Sequence, residues 1–138
     1  MANTIDMQDM RHLNLIEKIT KIRTRFCFMY NETIFFCVPK QFVSKAIGER
    51  GRNIKNMSEI LRRKIKIIPI PNGIEHAKYF IESIVAPVEF KEIQISKDEI
   101  ILTAWRQSKA ALIGRNKRRL MEMKKIIGDF FGRDFKIA

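Results

Sequence analysis

The sequence predicts an α+β fold of two tandem units. Each runs helix-strand-strand-helix-helix-strand, with a small three-stranded sheet packed on helices. Three observations predict it. Apolar residues alternate between helical spacing and β-rich runs in the same order twice along the 138 residues. Shifting the first half by 66 positions places Ile47 on Ile113, Gly48 on Gly114, Ile54 on Leu120, Met57 on Met123 and Leu61 on Ile127. A duplicated unit keeps such a turn glycine and apolar helix face. Basic residues also cluster twice, at the same place in each repeat.

Residues 1–7 read as a frayed start. From Gln8 to Thr20, Met10, Leu13, Ile16 and Ile19 recur at threes and define a helix face. Thr24–Tyr30 and Thr33–Val38 read as strands around an Asn31-Glu32 turn. Pro39 ends the second strand, because it cannot continue a ladder. The run from Phe42 to Ile47 is a short helix ending at Gly48, and a second helix starts after Gly51 with Ile54, Met57 and Leu61 on one face. Ile65–Ile70 is the third strand. The proline-stiffened Pro69-Ile70-Pro71-Asn72-Gly73 is a linker that holds its neighbours close. The units are therefore placed at 1–71 and 72–138. In the second, Ile74–Val85 reads as a helix, Val88–Ile95 and Glu99–Ala104 as strands around Ser96-Lys97-Asp98, and Lys109–Ile113 as a short helix ending at Gly114. A helix carrying Leu120, Met123, Ile127 and Phe130 and a strand at Arg133–Ile137 complete it.

A formal charge of +12 and a pI near 10.1 favour a polyanionic partner, nucleic acid first. A membrane surface is disfavoured, because no segment is a basic amphipathic helix with Trp and Phe on its apolar face. The charge is localised. Lys45 to Lys66 holds eight basic residues against Glu49 and Glu59, and Arg106 to Lys125 holds eight against Glu122. Ile74 to Ala104 is instead net acidic, with six carboxylates and three lysines. The N-terminus has no secretory pattern, no apolar run is long enough to span a bilayer, and a cytoplasmic location is expected.

Cys27 and Cys37 make no disulfide framework; a three-residue hairpin turn would bring them close, and both are expected as free thiols. No cofactor and no metal site is expected, since His12 and His76, the only histidines, stand at no ligand spacing from a cysteine. An enzyme is not expected either: Walker A, G-x-S-x-G and H-E-x-x-H patterns are absent.

The segment Ile47-Gly48-Glu49-Arg50-Gly51-Arg52-Asn53-Ile54-Lys55 joins two short helices through two glycines. Gly48 suits a helix C-terminus, and Gly51 leaves bare backbone where the next helix exposes unpaired N–H groups. With Lys45, Arg50, Arg52 and Lys55 around it, this is a place where a sugar-phosphate backbone can approach. Taken alone, G-x-x-G also fits a plain helical corner.

On these residues, and on the weaker counterpart Leu112-Ile-Gly-Arg-Asn-Lys-Arg-Arg-Leu120, the chain resembles tandem KH proteins of the type II arrangement. More closely, it resembles the archaeal form of the NusA transcription termination and antitermination factor. The resemblance covers nearly the whole sequence from about Gln8. It implies single-stranded RNA as partner, with the loop gripping the nucleotide backbone beside an apolar base groove. RNA polymerase or other transcription factors are further partners it raises, in a monomeric protein. Neither an S1 domain nor the polymerase-binding domain of the bacterial factor is expected beside the two units.

Residue by residue, the resemblance assigns Gly48, Glu49, Arg50 and Gly51 to the first backbone clamp. It gives phosphate neutralisation to Lys45, Arg52 and Lys55, and the base groove to Val43, Ala46, Ile47 and Ile54. Those four apolar residues fit core positions equally well. Gly114, Arg115, Asn116, Lys117 and Arg118 take the matching places in the second unit, where Lys117 replaces the last glycine. Glu49 is expected to face solvent or pair with Arg52, and Trp105 to anchor packing between the units rather than to stack on a base. A ribosome-associated or other KH-type RNA or single-stranded DNA binder, and a protein-docking adaptor, are the alternatives.

Overall fold

Helix α1, Met7–Thr20, opens the computed structural model, which describes residues 7–138. The expected frayed start therefore lies outside the described residues, apart from Met7. Leu13 and Ile16 of α1 are buried, as their spacing requires. Strands β1 (Phe26–Tyr30) and β2 (Thr33–Val38) pair antiparallel, and β3 (Lys64–Pro69) pairs parallel with β2, giving the order β1-β2-β3. Proline at the end of β3 is tolerated because β3 pairs on one side only. Between β2 and β3 lie α2 (Val43–Ile47) and α3 (Arg52–Leu61).

Ile34, Phe36 and Val38 project from one face of β2 and meet Ile16, Ile22, Ala46, Met57, Ile65 and Ile67 in one buried cluster. On the other face Phe28 stacks on Phe35 with centroids 5.1 Å apart, and Lys66 Nζ lies 5.8 Å from the Phe35 ring.

The hairpin turn has two residues, both with positive φ (Asn31 50°, Glu32 60°), so Tyr30 pairs with Thr33. This register sets Cys27 opposite Phe36 and Cys37 opposite Phe26, so the thiols point to opposite faces and stay unbridged. Burial raises the Cys37 thiol pKa well above its usual value, and neighbouring Cys27 adds to the effect. The first strand starts two residues later than expected. Thr24 instead uses its side-chain hydroxyl, donating to the Cys37 carbonyl oxygen.

The second half repeats the order: α4 (Ala77–Val85), β4 (Glu92–Ile95), β5 (Glu99–Thr103), α5 (Lys109–Ile113), α6 (Arg118–Phe131) and β6 (Asp134–Ile137). β4 and β5 are antiparallel, β5 and β6 parallel. Phe80 of α4 packs against Phe130 and Phe131 of α6, at 4.8 and 5.8 Å between centroids. The strand expected from Val88 begins only at Glu92. The Val88 N–H turns back to the Val85 carbonyl, and sheet pairing starts where the Lys91 N–H reaches the Thr103 carbonyl.

The α+β class and the α-β-β-α-α-β order are thus both present, in a form consistent with KH-type domains. The chain divides into two compact units that part between Ile70 and Pro71. Among the described residues no helix is long and apolar enough to cross a membrane.

Met57 ties α3 to the first core and is fully buried. Met57→Ala is expected to destabilise the protein by about 2–5 kcal/mol, read from chemical denaturation.

Candidate nucleic-acid interface

The two glycine corners have the same backbone. Gly48 (φ 84°, ψ 164°) corresponds to Gly114 (78°, 169°), and Arg50 (56°, 28°) to Asn116 (55°, 29°). Gly51 (74°, 20°) corresponds to Lys117 (60°, 23°). The hydrogen bonds repeat as well. Gly48 N–H donates to Ser44 O at 3.0 Å and Gly114 N–H to Ala110 O at 2.9 Å. Gly51 N–H donates to Gly48 O at 3.0 Å and Lys117 N–H to Gly114 O at 3.1 Å.

Two consecutive left-handed residues in each corner turn the chain between its short helices. The glycines serve different needs. A Cβ on Gly48 would come within 3.0 Å of Asn53, and one on Gly114 within 2.9 Å of Arg119. A Cβ on Gly51 would meet nothing within 4 Å. Gly51 therefore answers to its positive φ and leaves bare backbone facing open space.

Asn53 and Arg119 are site residues that sequence reasoning missed. The Asn53 side-chain amide donates to Lys45 O at 3.3 Å, and the Arg119 guanidinium donates to Ala111 O at 2.8 Å. Both span the corner from the first turn of the second helix to the last turn of the first. The 66-residue shift relates donor to donor and acceptor to acceptor (53 to 119, 45 to 111). The sequence signal was available, but it lay in a polar pair of different residue types, while apolar identity drew attention to the helix faces.

The electrostatics of the corners follow from exposure. Lys45, Arg50, Arg52 and Lys55 are exposed around the first, and Arg115, Lys117 and Arg118 around the second. Among the described residues the ion pairs are Arg23–Glu17, Lys124–Asp134 and Lys136–Glu99, so none of these seven cations is paired. Glu49 is exposed and makes no ion pair with Arg52. Neither α3 nor α6 has a side-chain cap on its first N–H groups, which leaves positive dipole ends beside the loops.

Two of the eight cations of the second basic run are engaged elsewhere. Arg119 holds the corner, and Lys124 pairs with Asp134 at 3.3 Å. The Phe135 backbone N–H, and then Lys124, hold the Asp134 carboxyl below the usual carboxylate range.

Of the expected groove residues, Ala46 is fully buried and belongs to the core. Val43, Ile47 and Ile54 pack against that core but stay half-buried, which leaves them a solvent-facing side next to the loop. Trp105 is 43% exposed, with Lys91 Nζ 5.9 Å from its ring.

Lys117 holds a left-handed conformation that costs a side-chain residue about 1–2 kcal/mol. Lys117→Gly is expected to raise stability by about 1 kcal/mol in denaturation, since glycine's greater freedom in the unfolded chain offsets part of the relief.

No protein-family model matches the chain. A probable transcription termination protein NusA of Methanococcus vannielii is 30% identical over 97 residues, which are 70% of this chain and 54% of that relative. The chain thus spans about half the length of that protein. A probable transcription termination protein NusA of Halococcus morrhuae is 24% identical over 98 residues, covering 71% of this chain and 68% of the relative. The crystal structure of the protein APE1850 shares the fold with a TM-score of 0.65 and 21% identity, covering 97% of this chain and all of that one. Over about 70% of its length, the chain is similar in sequence to archaeal NusA-type proteins.

Proposed function

We propose that this chain is a single-stranded RNA-binding protein of tandem KH type, acting as a NusA-like transcription termination or antitermination factor. The observation that carries the reading is the left-handed glycine corner built twice with matching dihedrals, each time between an uncapped helix start and unpaired cations. The likeness to two proteins called probable transcription termination protein NusA supports the transcriptional role.

In the first unit Gly48, Glu49, Arg50 and Gly51 hold the RNA backbone against the start of α3. Lys45, Arg52 and Lys55 neutralise phosphates, and bases lie over Val43, Ile47 and Ile54. In the second unit Gly114, Arg115, Asn116, Lys117 and Arg118 do the same with a different balance. Between positions 49 and 52 the first loop carries two cations and one acid, a net +1. Between 115 and 118 the second carries three cations, a net +3. The Lys117 side chain restricts close backbone approach and substitutes an ionic contact, so the second site is weaker but contributes. The protein works as a binding factor in the cytoplasm, as a monomer, with RNA polymerase or other transcription factors as its protein partners.

The test is titration with short single-stranded RNA pools and the matching DNA at several salt concentrations. Wild type is expected to bind RNA with a salt slope of about −0.7 per phosphate neutralised. The double variant Glu49→Asp, Arg50→Asp replaces one cation by an anion on an exposed loop. It is expected to lose about tenfold or more in affinity with the fold intact. Equal binding by wild type and variant, or none by either, would overturn the reading and leave a protein-docking adaptor. Lys117→Gly is expected to strengthen RNA binding. Unchanged affinity would mean that the second corner does not touch RNA.

A further inference from the structure

Asp9 and His12 stand three residues apart on one face of α1, and Cys27 is the second residue of β1. Packing of the helix on the strand brings one ligand atom from each within 4.8 Å of the others. His12 is buried, and Asp9 and Cys27 are half-buried. The Cys27 side sits against the first core, and its thiol lies 3.8 Å from Asp9 Oδ1 and 3.9 Å from the Asp9 carbonyl oxygen.

We propose that these three side chains form a binding site for a zinc-class divalent ion. Thiolate, imidazole and carboxylate are the donors a tetrahedral zinc ion takes. Its bonds of about 2.0–2.3 Å put neighbouring ligand atoms about 3.3–3.7 Å apart. The thiol and carboxylate are already near that separation, and the rest closes by small side-chain rotations within one helix-strand contact. A thiolate selects against magnesium and calcium, which prefer oxygen ligands. Solvent takes the fourth position. The ion displaces the thiol proton, so its binding releases a proton to solvent. Its effect on the fold is to clip the first turn of α1 to β1, remote in sequence from the glycine corner. The site stands independently of the RNA reading.

The test is titration of the full chain, thiols kept reduced, with Co²⁺ as a spectroscopic probe and Zn²⁺ as competitor. Wild type is expected to develop thiolate-to-cobalt charge-transfer absorption at one ion per chain. Zn²⁺ should displace it and raise the thermal midpoint. Cys27→Ala should lose the absorption and the thermal shift, Asp9→Asn should bind tenfold or more weakly, and Cys37→Ala should behave as wild type. Circular dichroism checks that each variant is folded. No charge-transfer band in wild type, a band that survives Cys27→Ala, or an Asp9→Asn variant that binds as wild type would overturn the assignment.

Discussion

The interface depends on one backbone constraint: a chain that must leave one short helix and enter another through two consecutive left-handed residues. Right-handed continuation would merge α2 with α3 and hide the N–H groups of α3 inside a single rod. The turn prevents this and points the start of α3 outward. The same constraint explains the residues around it. Gly48 must be small because Asn53 packs against its α-carbon, and Gly51 must be permissive because its φ is 74°. A short helix such as α2 gains little from its own hydrogen bonds. Ala46 from α2 and Met57 from α3 hold the corner by joining the core under it.

Charge acts on that scaffold without having to hold it together. The ion pairs among the described residues lie away from the loops, and the corners are braced by neutral carbonyl acceptors at Lys45 and Ala111. An exposed cation left unpaired contributes little to folding but keeps its full attraction for a phosphate. The two corners reach this state by different residues. The first has open backbone at Gly51. The second has denser charge and a strained Lys117, which keeps the turn because the surrounding hydrogen bonds over-determine it.

Most of the fold was legible because its signals are local. Helix faces at Leu13 and Ile16 or at Met123 and Ile127, β-rich runs, and prolines at 39 and 69 mark elements within a few residues of where they occur. The misses share a cause. Propensity places Thr24 in the strand, yet its hydroxyl reaches the Cys37 carbonyl thirteen residues away. Residue type places Val88 in a strand, yet its N–H closes a turn on Val85. In each case a hydrogen-bond partner set the backbone, and partners are not written in propensity. Ala46 is a similar case: a small apolar residue beside the loop fits a groove or a core, and only packing separates them.

The sequence by itself determined the duplicated α-β-β-α-α-β order, the two glycine corners and the concentration of basic residues upon them, because each depends on residue type at fixed spacing. Only the tertiary structure decided which side chains meet. A two-residue hairpin turn sent Cys27 and Cys37 to opposite faces, packing of α1 on β1 gathered Asp9, His12 and Cys27, and the corner fold gave Asn53 and Arg119 their carbonyl partners. The physical reason is that a side chain's direction follows from the register and packing of elements distant in sequence, and a one-residue change in either turns it to another face.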